Sequence, residues 1–229
     1  MTSATTTSTA TSNDSVVDTT SITSAKEELT TTQIKEMLPI RMVSKVVRGF
    51  GRGSSDLGIP TANLDRKVLR MAGVEKSSSN NTPEKKNQDA SLHFEDLPCG
   101  IYWGFCRIGD ADEPAAGTGG LVYTAALSIG YNPTYGNDQK TIEPHLIAPA
   151  TDPRRRASSC SETVLQDFYD QSVRLSVVGY LRPELPFEGL EKLVVAIKND
   201  IAAADKMGSA TDALTHQERE WVKSEAVLE

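Results

Sequence analysis

The most chemically suggestive stretch of the chain is a glycine-rich segment. Residues 49–58 read GFGRGSSDLG, with four glycines in ten positions. Glycines let the backbone approach a ligand closely and direct its N–H groups at phosphate oxygens. The segment lacks the Gly-Lys-Ser/Thr sequence of a Walker A loop, and no helical pattern follows it as in a dinucleotide-binding turn. Taken alone, the pattern suits a phosphate-binding loop and a flexible hairpin loop equally well.

A short polar motif, Pro60-Thr61-Ala62-Asn63, follows at once. If this motif is extended, Thr61 and Asn63 project to the same side. A hydroxyl and an amide carbonyl are hard oxygen ligands, which suit a Mg²⁺ ion that also keeps waters and substrate phosphates. Spacing alone favours the simpler hypothesis that the two residues cap a turn.

Two further segments carry isolated charged side chains. Glu143 stands between apolar neighbours, where it could act as a general base or be an exposed strand residue. His145 would face the same side and could partner Glu143, although a single histidine is more often structural. Arg182 could contact an aromatic ligand or an anion, or it could pair with Glu184 to close a turn.

The elements that must position these groups are mostly strands. Residues 41–47, 101–107, 121–129 and 172–177 are β-favouring runs separated by glycine- and proline-containing turns. This pattern predicts an all-β barrel or sandwich. An apolar stripe with helical spacing begins at Leu190 and predicts an amphipathic helix that ends near Gly208. A second helix is predicted to begin at Thr215, whose spacing to Glu218 fits a capping box.

Composition limits the function classes. The 229 residues carry a net charge of −7, which argues against non-specific nucleic-acid binding and against anionic membrane surfaces. No apolar run approaches the ~20 residues of a membrane-spanning helix. Three cysteines without C-x-x-C spacing indicate free thiols in a reducing compartment. We therefore expect a cytoplasmic protein without nucleic-acid or membrane partners. We also expect a monomer.

Low-complexity segments precede the predicted domain and interrupt it. Residues 1–36 are rich in Ser and Thr and are predicted to be a disordered tail. A mitochondrial transit peptide is the alternative, but the first arginine is Arg41 and the tail contains acidic residues. Inserted surface loops are predicted near residues 75–95 and 148–162. The second loop contains Arg154-Arg155-Arg156, which we interpret as a solvated charge cluster rather than an anion-binding site.

Taken in order, the motifs closely resemble the eukaryotic, single-domain riboflavin kinases. The matching strings include GFGRGSSDLGIPTANLD, GIYWGFCRIG, SIGYNPTYGN with TIEPHLI, and VVGYLRPE. The resemblance implies a closed six-stranded antiparallel Greek-key barrel with a C-terminal amphipathic helix packed on it, within residues 37–229. It also implies ATP-dependent phosphorylation of riboflavin at the ribityl 5′-hydroxyl, giving FMN and ADP.

The same resemblance assigns site residues. It implies that Glu143 is the catalytic base and that Thr61 and Asn63 bind Mg²⁺, with Zn²⁺ or Mn²⁺ as alternatives. The implied nucleotide-binding positions are Gly49, Gly51, Gly53, Ser54, Ser55, Thr61, Leu146 and Tyr169. The implied flavin-binding positions are Arg182 and Phe187.

Two other functions remain open at this point. A bifunctional enzyme that also adenylylates FMN would need a further nucleotidyltransferase domain with an H-x-G-H motif. The three histidines, at 93, 145 and 216, do not form that motif, and the short N-terminal tail leaves no room for the domain. A non-catalytic flavin-binding barrel would need neither a base nor a metal, so the combination of Thr61, Asn63 and Glu143 argues against it.

Overall fold

The computed structural model describes residues 29–49, 58–74, 92–110, 120–131, 139–149, 152 and 167–228. Within these ranges the chain forms three α-helices, seven strands and one turn of 3₁₀ helix at Phe94–Asp96. The helices are α1 (Thr31–Met37), α2 (Leu190–Gly208) and α3 (Ala213–Lys223). The strands are β1 (Ile40–Val47), β2 (Asn63–Leu64), β3 (Arg70–Gly73), β4 (Gly100–Ile108), β5 (Tyr123–Gly130), β6 (Thr141–Ile147) and β7 (Ser172–Arg182).

The strands form one antiparallel sheet in the order β2-β1-β7-β4-β5-β6, with β3 pairing β1 off this path. The first and last long strands, β1 and β7, are neighbours, and β7 also pairs β4. The backbone N–H of Ala62 donates to the carbonyl of Pro144 at 2.9 Å, which brings the start of β2 against β6. This contact nearly closes a six-stranded barrel, so the predicted barrel architecture is confirmed.

Apolar side chains lie on both faces of the barrel wall. The interior holds a cluster that includes Met42, Tyr102, Cys106 and Leu175. A second cluster lies outside the wall, where the helices pack on it. Cys106 is fully buried and its thiol is free, and burial raises the pKa of this thiol to about 12.

The helix predicted from the apolar stripe is α2, and it ends at Gly208 as expected. α2 packs across the outer face of β4 and β5. Ile201 and Ala204 on its buried face join the cluster that contains Trp103 and Phe105 of β4. The helix therefore explains why β4 is buried on both faces, whereas antiparallel strands commonly have one face exposed to solvent.

The predicted start of the last helix is wrong. α3 begins after Asp212, whose side chain accepts hydrogen bonds from both the backbone N–H and the hydroxyl of Thr215. These bonds lower the pKa of the Asp212 carboxyl. Glu218, which was expected to complete a capping box, is instead fully buried and bonds Arg41 through both carboxylate oxygens, at 2.9 Å each. Ser176 of β7 donates a further hydrogen bond to Glu218 at 2.8 Å.

Two arginines of the barrel wall hold the end of α3. Arg107 and Arg174 are direct cross-strand partners on β4 and β7. Arg107 donates to the carbonyls of Val222 and Ser224, and Arg174 donates to those of Trp221 and Ala226. The partial negative charge of a helix C-terminus favours such cations. Burial nevertheless lowers the pKa of Arg174, and the neighbouring Arg107 adds to that effect.

The boundary of the predicted disordered tail also needs correction. The tail was expected to extend to residue 36, whereas α1 occupies Thr31–Met37. Thr30 and Gln33 form a complete capping box, and Ile34 is buried against the barrel. Residues 1–28 lie outside the described residues, as do most of the loop predicted near 75–95 and the Arg154–Arg156 cluster. Within the described ranges, no helix has the length and apolar character needed to cross a membrane.

Candidate active site

The outer face of β6 carries the candidate base. Side chains along this strand alternate, so Ile142 and Leu146 point into the barrel cluster. Thr141, Glu143 and His145 lie on the opposite face of β6, and Glu143 is partly exposed. The strand therefore presents the carboxylate where a substrate can reach it.

Two threonine hydroxyls hold the Glu143 carboxylate. Thr141 Oγ1 donates to Oε1 at 2.9 Å, and Thr61 Oγ1 donates to Oε2 at 3.2 Å. The predicted metal motif and the predicted base are thus in direct contact, although 82 residues separate them in sequence. Each carboxylate oxygen has two acceptor positions, so both oxygens keep capacity for another hydrogen bond.

His145 fixes the segment that carries Thr61. Its Nδ1 lies 2.9 Å from the carbonyl oxygen of Pro60, and the ring is buried at 3% exposure. The backbone bond from Ala62 to Pro144 holds the same segment one residue further along. The sequence left two roles open for His145, and the structure supports the structural one, since this residue holds the Pro60 carbonyl and so keeps the predicted metal motif beside Glu143.

Asn63 packs directly against the first glycine of the glycine-rich segment. A Cβ atom on Gly49 would overlap the amide nitrogen of Asn63 and would lie 2.7 Å from its Cγ. Only a residue without a side chain allows this approach. The close contact places the start of the glycine-rich segment beside the predicted metal ligand.

The donor set of the metal motif fits a magnesium ion. Among the residues that the structure describes, no group of three or more His, Cys, Asp and Glu side chains could hold a metal alone. Thr61 and Asn63 provide a hydroxyl and an amide oxygen, two residues apart, and both are partly exposed. A cation bound there must complete its ligand shell from water and a phosphate-bearing substrate, which is typical of Mg²⁺.

The predicted nucleotide-binding residues are only partly assembled in the described structure. Gly51, Gly53, Ser54 and Ser55 lie outside the described residues. Leu146 points into the barrel, away from the face that carries Glu143, and is 5% exposed. The period-2 alternation of β6 puts it there, and the structure does not bring its side chain to the site. Tyr169 is exposed, and the guanidinium of Arg48 lies 4.4 Å from the centre of its ring.

The predicted flavin-binding pair lies where β7 leaves the barrel. Arg182 donates from Nε and Nη2 to the two carboxylate oxygens of Asp200 on α2, at 2.9 and 2.6 Å. Its guanidinium carbon lies 5.5 Å from the centre of the Phe187 ring. Asp200 is therefore the residue that fixes Arg182. Sequence reasoning did not find it, because its partner is 18 positions away on another element.

Glu184 links the loop after β7 to the end of β5, where β5 pairs with the start of β6. Its carboxylate packs onto Gly130, where a side chain would collide with it, and accepts the backbone N–H of Tyr131 at 3.1 Å. Nearby inside the barrel, burial raises the pKa of Tyr180, although the adjacent Arg182 acts in the opposite direction. The loop after β7 therefore contacts both α2 and the end of β5, which pairs with β6 at Thr141.

This arrangement suits one kind of chemistry in particular. A partly exposed carboxylate can take a proton from an alcohol bound beside it. Hard oxygen donors beside that carboxylate can hold a metal, and Gly49, at the start of the glycine-rich segment, contacts the Asn63 side chain. Together these features favour phosphoryl transfer to a hydroxyl, in which positioning and charge stabilisation contribute most of the rate.

Comparison with known proteins gives a consistent result. A family model described as riboflavin kinase, or flavokinase, matches residues 37–208. The chain is 35% identical over 170 residues to a riboflavin kinase of Aspergillus terreus, covering 72% of each protein. It is 36% identical over 169 residues to the human riboflavin kinase, covering 74% of this chain and 81% of that one. The crystal structure of riboflavin kinase from Trypanosoma brucei matches 81% of this chain and 84% of that one, with 22% identity and a TM-score of 0.44.

Proposed function

The chain belongs to the riboflavin kinase family, and we propose that it transfers the γ-phosphoryl group of ATP to the ribityl 5′-hydroxyl of riboflavin, giving FMN and ADP. The observation that carries this proposal is the Glu143 carboxylate, held between the hydroxyls of Thr61 and Thr141. The family match covers all the strands of the barrel and α2, which carry this site. ATP and riboflavin are the two substrates that membership of the family implies.

In the proposed reaction, the riboflavin 5′-oxygen forms a bond to the γ-phosphorus while the bond from that phosphorus to the ADP oxygen breaks. The hydroxyl proton passes to Glu143, which later releases it to water. General-base assistance of this kind contributes typically ~10²–10⁴-fold to a rate. Because Thr61 and Thr141 both bond the carboxylate, it does not need to reorient when the substrate arrives.

We assign the divalent cation to Thr61 and Asn63. Mg²⁺ is the proposed ion, with Zn²⁺ and Mn²⁺ as alternatives, and when bound it would neutralise charge on the phosphate oxygens. His145 contributes by holding the Pro60 carbonyl, so that Thr61 stays beside Glu143. Gly49 contributes by leaving room for the Asn63 amide.

The substrates are proposed to approach from two sides of this centre. We assign the ATP phosphates to the glycine-rich segment. We assign the nucleotide base to the surface near Tyr169, on whose ring the Arg48 guanidinium stacks. This assignment no longer includes the Leu146 side chain, which faces the interior. We assign the flavin to the loop after β7, where Asp200 orients Arg182 beside Phe187.

Two further proposals concern the molecule as a whole. We propose that it is a monomer, which light scattering at two protein concentrations would test. We also propose a cytoplasmic location, supported by the free, buried thiol of Cys106. Fluorescence microscopy of the full chain with a C-terminal tag would test the location, and a mitochondrial pattern would contradict it.

The non-catalytic flavin-binding barrel is not favoured, because the matched relatives are kinases and the base and metal motif lie in contact here. The proposed function is tested with the purified full chain, riboflavin, ATP and Mg²⁺, with flavins resolved by chromatography. FMN should form. FAD formation from FMN and ATP in the same assay would contradict a monofunctional enzyme.

Glu143→Gln tests the assignment of the base. Glutamine keeps the size of the side chain and can still bond both threonines, but it cannot accept a proton at neutral pH. We expect kcat to fall by ~10²–10⁴-fold with little change in either KM or in the melting temperature. Glu220→Gln, on the exposed side of α3, is the matched control and should behave as wild type. A folded Glu143→Gln variant with wild-type turnover would exclude Glu143 as the base.

A further inference from the structure

Thr141 stands two residues before the proposed base and on the same face of β6. We propose that Thr141 is a positioning residue: its hydroxyl holds Oε1 of Glu143 and so leaves Oε2 as the oxygen that takes the riboflavin proton. This inference rests on the proposed function, since it assigns a role within the same reaction. Thr141 itself contacts neither substrate in this assignment.

Two acceptors compete for the Thr141 hydroxyl. Oγ1 lies 2.9 Å from Glu143 Oε1 and 3.3 Å from the carbonyl oxygen of Gly130. A threonine hydroxyl has only one proton to donate. The shorter bond leads to a charged acceptor, and charge-assisted hydrogen bonds are roughly twice as strong as neutral ones. The hydroxyl therefore donates to Glu143 while the carboxylate is ionised.

The same bond serves both protonation states of the base. Oε2 is the oxygen on the side of Thr61, where the metal and phosphates are assigned, and its bond to Thr61 is the longer one at 3.2 Å. When the riboflavin hydroxyl gives its proton to Oε2, Oε1 becomes the carbonyl oxygen of a carboxylic acid. That oxygen still accepts from Thr141, so the carboxyl group keeps its orientation through the transfer.

Thr141 is itself held by its surroundings. It is the direct ladder partner of Gly130 at the end of the β5–β6 pair. The Glu184 carboxylate packs on Gly130 and accepts the N–H of Tyr131, which fixes that end of β5. A hydroxyl on a strand held in this way needs little reorganisation to orient its neighbour, and such preorganisation is what a positioning residue must supply.

Thr141→Val is the decisive variant, because it removes the hydroxyl and keeps the β-branched shape that suits a strand. We expect kcat to fall by ~10-fold or more, as for loss of a hydrogen bond to a charged group. The KM values for ATP and riboflavin should stay within ~3-fold, since only orientation of the base has changed. Thr141→Ser keeps the hydroxyl and should restore kcat to within ~3-fold of wild type.

Two controls separate positioning from a structural effect. Thr124→Val makes the same substitution on β5, where the side chain packs against Gly208 of α2, and should leave kcat unchanged. Thr141→Ala, a second variant without the hydroxyl, should reproduce the loss of kcat if Thr141→Val folds poorly. Melting temperatures of all variants identify any general loss of stability.

The Glu143→Gln background gives the sharpest test. If Thr141 acts through Glu143, adding Thr141→Val to Glu143→Gln should change kcat by less than ~2-fold. The inference would be overturned by an equal loss of kcat in both backgrounds. A wild-type kcat in the folded Thr141→Val and Thr141→Ala variants would overturn it as well. In either case, FMN formation by the wild type would still support the proposed function. Absence of FMN formation by the wild type would instead refute the function, and the inference with it.

Discussion

Gly49→Ala is the substitution that most directly tests whether the glycine-rich segment and the metal motif work together. Alanine adds one methyl group at a position where the amide of Asn63 already fills the space. The backbone at Gly49 does not itself require glycine, because its φ lies outside the positive range. We therefore expect the substitution to act through contact with Asn63.

The size of the effect follows from the overlap. The added Cβ would lie 2.7 Å from Asn63 Cγ, whereas ordinary van der Waals contacts begin at 3.4 Å. The amide carbon must consequently move by about 0.7 Å, and the overlapping amide nitrogen by more. A misplacement of ~1 Å in a positioned group can cost ~10²-fold in rate. We expect kcat/KM for Mg-bound ATP to fall by ~10–100-fold, while the KM for riboflavin stays within ~3-fold.

The assay is steady-state FMN formation at varied ATP and at varied riboflavin, with the melting temperature measured in parallel. Gly73→Ala is the matched control, because a Cβ at Gly73 meets nothing within 4 Å. Asn63→Ala should lower activity itself, and adding Gly49→Ala to it should have little further effect. A Gly49→Ala variant with wild-type kcat/KM for ATP would refute the reasoning, and an equal further loss in the Asn63→Ala background would show that the methyl acts elsewhere.

Two more predictions concern partly buried ion pairs, one for stability and one for the proposed flavin side of the site. Glu218→Gln keeps the shape of the side chain but leaves Arg41 without its bidentate partner. Urea unfolding should therefore show a loss of about 3 kcal/mol in the free energy of unfolding. An unchanged urea midpoint would contradict the assigned role of this pair. Asp200→Asn should release the Arg182 guanidinium and raise the KM for riboflavin by ~10-fold or more, with the KM for ATP unchanged. Equal changes in both KM values would mean that Asp200 supports the fold of α2 rather than the flavin site.

Local patterns predicted the elements of this fold well where one face decides the structure. The apolar stripe from Leu190 gave α2 with its correct end, because burial against the barrel selects that face. The predicted start of α3 was wrong because Thr215 and Glu218 have the spacing of a capping box, whereas the residue that caps the helix is Asp212. The carboxylate of Glu218 goes to Arg41, 177 residues away, and no local spacing reveals such a partner. α1 was missed because its capping box lies within a stretch whose composition resembles a disordered tail.

In the candidate site, too, local patterns predicted some residues, whereas contacts between distant elements escaped prediction. Resemblance to a known family identified Thr61 and Glu143, which the structure brings into hydrogen-bond contact. The inward orientation of the Leu146 side chain could have been predicted from the sequence, since Leu146 is separated from Glu143 by an odd number of positions on a strand and so faces the other way. Thr141 could have been found by the same rule, because it precedes Glu143 by two. Asp200 could not, because its contact with Arg182 depends on how α2 lies across the barrel.

The match to the family model ends at residue 208, while α3 begins at Ala213. Outside that match, the segment from Glu218 to Ala226 nevertheless supplies the acceptors for Arg41, Arg107 and Arg174 on the barrel wall. A protein trimmed to the family boundaries would expose the guanidinium groups of Arg107 and Arg174 directly opposite each other on neighbouring strands, where like charges are destabilising. We therefore expect the stable folding unit of this chain to extend beyond the region of family similarity, and an expression fragment to need the residues through Ala226.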